Sequence, residues 1–219
     1  MKPTRDTALI TIVTAIIGGL TVLAVNFSQQ LALAIPEVLG YGITLVPVIC
    51  FAWFMLFAIS ILNYTQERPF VLNVFIIYLA YTTLQHIINI GIGLLGLTAD
   101  KVIMYYQVSG TINSLGVILL VIAVFMLRDR PYRLSLQLFA LSELFIMLFY
   151  LAVPMLLSAI HITDMTLYFR YGGLSYMVVS AAELYVAITV LNLSSRQEWQ
   201  KPFYQTEKPD WPPYDKPGL

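Results

Sequence analysis

Charge is what this chain has least of. Its 219 residues include only 12 lysines and arginines and 12 aspartates and glutamates, 11% of the total. A water-soluble domain carries about 25%. The deficit excludes an ordinary soluble domain and implies an integral membrane protein that turns its apolar surface toward lipid. The formal charges cancel, so there is no general electrostatic case for nucleic acid or an acidic partner. Cysteine is nearly absent. Cys50 alone excludes an intrachain disulfide and a cysteine-rich metal centre, and in its apolar run it reads as a small buried or lipid-facing residue.

What remains is 59% hydrophobic and falls into six apolar runs, near 8–28, 41–62, 70–97, 102–127, 134–160 and 165–193. Each can span the roughly 30 Å of hydrocarbon that about 20 helical residues cross. A single span must satisfy its own backbone polar groups, so each is expected to be a helix. The predicted fold is an all-α bundle of six transmembrane helices over residues 1–193, followed by a tail over 194–219. Breaks are expected at Asn26–Gly40, Asn63–Pro69, Thr98–Lys101, Arg128–Arg133 and His161–Asp164. The apolar run from Ala8 to Val25 exceeds the roughly 7–15 residues of a signal-peptide core, which implies a retained first helix.

The few basic residues are not scattered. Lys2, Arg5, Arg68, Arg128, Arg130, Arg133, Arg196, Lys201, Lys208 and Lys216 fall on one side of the six-span map. Lys101 falls in an opposite loop, and Arg170 just inside the sixth span. The positive-inside rule then places both termini in the cytoplasm, and a bacterial cytoplasmic membrane is the expected location. A basic residue followed by proline opens each odd-numbered span: Lys2-Pro3, Arg68-Pro69 and Arg130-Pro131. Either the three hairpins are related, or proline is simply favoured at first helical positions beside a basic membrane face.

Glu143 and Glu183 stand out against this background, in the tetrads Ser142-Glu143-Leu144-Phe145 and Ala182-Glu183-Leu184-Tyr185. A charge at the bilayer centre costs about 2.5–3.5 kcal/mol on insertion scales, so neither carboxyl is expected to face lipid. The third span carries a polar stripe of Thr82, Gln85, His86 and Asn89; the fourth carries Gln107, Ser109, Thr111 and Asn113. Glu143 shares a helical face with Tyr150 and Pro154, and Glu183 with Arg170, Tyr176 and Ser180. At 1.5 Å per residue, His86 lies about 16 Å from the outer end of its span, Glu143 about 14 Å and Glu183 about 15 Å from their inner ends. Arg170 lies about 8 Å below its outer end, within snorkelling reach of the headgroups. The first span, with Thr7, Thr11, Thr14, Gly18 and Thr21 at helical spacing, is expected to be a packing seam.

Three functions suit a midplane layer of His86, Glu143 and Glu183. The groups can bind or relay a proton, small cation or small ligand, because intramembrane ionisable residues mark such paths and two nearby carboxyls cannot both ionise cheaply. They can instead only lock the bundle of a structural or assembly subunit. As a metal site they supply three ligands without a zinc-helix spacing, so the metal is unknown. An intramembrane enzyme ranks third, and a non-catalytic role is favoured. No lysine lies in any span, which disfavours retinal; His161 falls in an outer loop, which disfavours haem held by two histidines. The cofactor is otherwise unknown. Phosphate-loop and nucleophile-elbow motifs are missing. Besides the bilayer, two partners are compatible: a second copy through the small-residue faces, and a protein docking on the tail through Trp199, Phe203, Tyr204, Trp211 and Tyr214. Asn26-Phe27-Ser28 is a formal glycosylation sequon.

Overall fold

The computed structural model describes residues 3–30, 37–95, 99–160 and 172–195. Among them are six long helices: α1 Arg5–Gln30, α2 Glu37–Tyr64, α3 Pro69–Leu95, α4 Ala99–Phe125, α5 Arg133–Ala159 and α6 Met177–Ser195. A short 3-10 turn, Gly173–Tyr176, leads into α6. No strand occurs among the described residues. All six helical regions are long and apolar enough to cross a membrane.

Local chemistry sets several helix ends. Thr4 and Thr7 cap α1 reciprocally: each backbone N–H donates to the other's hydroxyl, at 2.8 and 3.2 Å, which satisfies donors the first turn leaves open. Pro69 opens α3, where its missing N–H removes no helical bond. α2 is closed by Gln66, two residues past its end and in the left-handed region with φ 53°. There the Glu67 N–H reaches back to the Leu62 carbonyl at 3.0 Å and the Gln66 N–H to Asn63 at 3.2 Å, a closing pattern that usually takes glycine. The reversal turns Glu67 inward. Tyr132, at the mouth of α5, donates its hydroxyl to the Glu67 carboxylate at 2.7 Å and also approaches the Thr65 hydroxyl at 2.8 Å. The Arg128 N–H meets the other Glu67 oxygen at 3.4 Å. Burial, with the Glu67 carboxylate beside it, holds the Tyr132 phenol well above its ordinary value. This clamp ties the α2–α3 loop to the α4–α5 loop at the basic end of the bundle.

Each helix packs on its neighbours in sequence, and α6 returns to α1, so the six close a ring. Side chains fill its middle at the basic end, where Phe139 of α5 meets Phe54 and Phe51 of α2 with ring centres 4.6 and 6.4 Å apart. The core is lopsided. Moving away from the basic loops, the last buried apolar residues are Ala15, Cys50, Tyr78, Val117, Ile146 and Val179, one on each helix. Large apolar side chains such as Ile49, Ile77, Met104, Leu151 and Met155 are exposed around the bundle. So much exposed apolar surface suits contact with lipid rather than water.

Several expectations need correction. The break expected over Asn26–Gly40 is shorter, because α1 runs to Gln30 and α2 starts at Glu37. Lys101 lies in the first turn of α4 rather than in a loop. The last helix begins at Met177, whereas the expected start near residue 165 lies outside the described residues. Asn26 is buried within α1 and donates its amide to the Val22 carbonyl at 2.9 Å, so the sequon presents no open acceptor. The threonine seam does pack: Trp53 donates to the Thr11 hydroxyl at 3.1 Å, and a Cβ on Gly18 would lie 3.3 Å from Cys50.

Gly173 fits against Asn26 only because it has no side chain, since a Cβ there would lie 2.5 Å from the amide nitrogen. Gly173→Ala is expected to lower stability by about 1–2 kcal/mol, read as a fall in the thermal midpoint in detergent. Adding Asn26→Ala should recover most of that fall by vacating the space.

Candidate functional site

Where the apolar core ends, two carboxyl groups begin. Glu143 projects from the middle of α5 and receives a hydrogen bond from the Tyr78 hydroxyl of α3 at 3.1 Å. Tyr78 is wedged at the centre of the ring. Phe51 of α2 meets it edge-on with centroids 6.4 Å apart, and a Cβ on Gly116 of α4 would lie 3.3 Å from its ring. A larger residue than glycine at 116 would crowd the tyrosine ring.

Glu183 enters from α6 with 5% of its surface exposed. It lies within electrostatic range of Glu143 and of Cys50. Among the described residues Glu183 makes no hydrogen bond, and no basic side chain comes within ion-pair distance of either carboxyl; the salt bridge found, Asp129 to Arg133 at 3.8 Å, is at the basic end. The buried neighbours of Glu183 along α6 are Val179, Ala182, Val186 and Ala187. Two carboxyls thus share an apolar layer without a counter-charge among the described residues.

The other predicted site residues are distributed differently. His86 is exposed; it stands about 80° around α3 and about 12 Å along it from Tyr78, so the layer of the two carboxyls is completed by Tyr78 rather than by the imidazole. No group of three or more His, Cys, Asp or Glu side chains among the described residues is arranged to hold a metal ion. Oxygen-seeking cations such as calcium take six to eight ligands, more than two carboxyls and one phenol provide. A proton needs only one oxygen.

Gln85 is half-buried and its backbone carbonyl lies 3.5 Å from the Tyr105 hydroxyl. The Asn89 side-chain oxygen is buried without a hydrogen-bond partner among the described residues. Gln107 is exposed. Asn113 lies where the Tyr81 hydroxyl enters the backbone of α4, donating to the Ser109 carbonyl at 2.6 Å and meeting the Asn113 N–H. Tyr150 and Tyr176 face each other with ring centres 5.8 Å apart, and Tyr150 bonds Ser175. Tyr176 reaches to within electrostatic range of Tyr78. Arg170 and the tail residues Trp199, Phe203, Tyr204, Trp211 and Tyr214 lie outside the described residues.

Sequence reasoning missed Tyr78, Gly116 and the proximity of Cys50. A usable signal existed for the first. Counted from the basic end, Tyr78 lies about 14 Å into α3 and Glu143 about 15 Å into α5. Comparison with protein-family models, curated proteins and solved structures finds no match.

Proposed function

We propose that this chain is a multi-pass membrane protein, with its basic loops and both termini on the cytoplasmic side of a bacterial cytoplasmic membrane, and that its Glu143–Glu183 pair binds and exchanges a proton. The topology rests on the concentration of basic residues at one end of six apolar helices. The proton reading rests on one observation: two carboxyls from adjacent helices lie within electrostatic range of each other, in an apolar layer where no basic side chain among the described residues pairs with them. Like charges in such surroundings cannot both persist, so the pair gains or loses a proton as a unit. Tyr78 can stabilise the charged form of Glu143 by its hydrogen bond.

Dicyclohexylcarbodiimide enters bilayers and attacks protonated buried carboxyls. With the protein in liposomes, it is expected to modify Glu143 or Glu183, mapped by peptide mass, and to do so less as the pH is raised. Glu143→Gln and Glu183→Gln should each remove their own site of modification and stop proton uptake into liposomes under an imposed potential. Modification that ignores pH, or uptake that survives both substitutions, would sink the proposal.

A further inference from the structure

The acid pair sits at a boundary in the bundle. On its basic side the ring is filled by Phe54, Phe57, Phe75, Leu136 and Phe139, each exposed by 1% or less. On its other side, among the described residues, the buried apolar core stops within about one turn, at Ile146 and Val179, and residues buried beyond it, such as Asn26, Thr82 and Ser109, are polar. Tyr176 and Tyr78 come from opposite sides of the ring, next to α6 and on α3, and lie within electrostatic range of each other. Tyr176 therefore projects toward the ring axis. It is nonetheless 44% exposed, while Tyr78, one layer closer to the basic end, is 3% exposed. Among the described residues, exposure near the axis thus rises from Tyr78 to Tyr176.

The ring walls at that level carry hydrogen-bonding groups. Thr82, Gln85 and Asn89 continue the face of Tyr78 at helical spacing along α3, and the buried Asn89 oxygen, a polar group that calls for a partner, has no donor among the described residues. On the opposite wall, Tyr176, Ser180 and Glu183 follow one face into α6. The titratable groups facing the carboxyls are Tyr78 from α3, Tyr176 from the 3-10 turn and Cys50 from α2. Where α1 and α4 come close they offer glycines: Gly18 against Cys50, Gly19 against Ser180 and Gly116 against Tyr78.

Resting on the proton reading above, we propose that protons reach Glu143 and Glu183 only from the end opposite the basic loops, through a water-filled vestibule along the ring axis walled by Thr82, Gln85 and Asn89, with Tyr176 at its throat. A strip of amides and hydroxyls can order water and pass a proton without holding it. The packed phenylalanines and Leu136 fill the axis beneath the pair, and the hydroxyls buried at that end, Thr11, Ser60 and Ser135, are spent on backbone carbonyls.

Single cysteines introduced at Asn89, Gln85 and Ser180, each read against the labelling of the parent protein with its buried Cys50, test the route. The full-length protein is labelled in right-side-out and in inverted membrane vesicles with a charged, membrane-impermeant methanethiosulfonate. Labelling of at least two of the three positions from the non-basic side alone, with an Ile61→Cys control inert from both, is the expected result. Labelling from the basic side, or no labelling at any of the three positions, would overturn the route. Tyr176→Trp is expected to slow proton uptake at least tenfold while carbodiimide still modifies the glutamates; unchanged uptake would remove Tyr176 from the throat. The two proposals fail distinguishably. Carbodiimide modification with labelling from the basic side defeats the route alone, whereas one-sided labelling without pH-dependent modification defeats the proton reading and the route with it.

Discussion

Replacing Glu183 with methionine is expected to hold or raise the thermal midpoint of the protein while eliminating proton uptake. Glu183 is 5% exposed and makes no hydrogen bond among the described residues, so the substitution strands no partner. A flexible apolar side chain of similar length fits the same space and removes the desolvation penalty of a buried ionisable group. The gain can reach about 1 kcal/mol, since buried charged groups exchanged for apolar ones of like volume are often neutral or stabilising. Glu143→Met should behave differently. It leaves the Tyr78 hydroxyl, now bonded at 3.1 Å, without its acceptor, which costs about 1–3 kcal/mol. Adding Tyr78→Phe should return most of that loss. Thermal unfolding in detergent and proton uptake in liposomes, measured on the same preparations, separate function from architecture. If Glu183→Met melts well below the parent protein, the carboxyl holds the bundle together and the exchange reading loses its footing.

How much of this was visible in the sequence depends on how far each residue's chemistry acts through position alone. The apolar helices were visible because hydrocarbon imposes length and composition together. Glu143 and Glu183 were visible because a carboxyl inside such a run is too costly to be incidental. His86 was harder to place. α3 has 27 residues, about 40 Å of helix, longer than a bilayer core, so depths counted from opposite ends do not meet. The angle around the helix axis then decides, at 100° per residue, and it places Asn89 rather than His86 on the face of Tyr78. Glu67 was hidden for another reason. Beside Arg68 and Pro69 it reads as a solvated loop charge, and only the left-handed backbone at Gln66 turns it inward.

That inward turn makes the basic-end clamp the site where a single substitution should be most damaging to stability. Glu67 is 7% exposed and Tyr132 2%, and their contact is the shortest of the hydrogen bonds that join the two loops. A hydrogen bond to a buried charged group contributes about 1.5–3 kcal/mol. Glu67→Ala removes it and leaves the Tyr132 hydroxyl with Thr65 alone, so a loss of about 2–3 kcal/mol is expected. Tyr132→Phe should lose about 2 kcal/mol. The double variant should fall short of the sum by about 1–2 kcal/mol, the coupling of two groups in direct contact. Alkaline pH supplies an independent sign. Because the folded protein holds the Tyr132 phenol above its ordinary value, the contribution is fully present below about pH 10, the unfolded phenol's pKa. It declines above that pH, as the unfolded chain releases a proton that the folded chain retains. Stability should therefore fall more steeply above pH 10 in the parent protein than in Tyr132→Phe, by up to about 1.4 kcal/mol per pH unit. Parallel slopes, or additive losses in the double variant, would mean that Glu67 and Tyr132 are neighbours without being coupled.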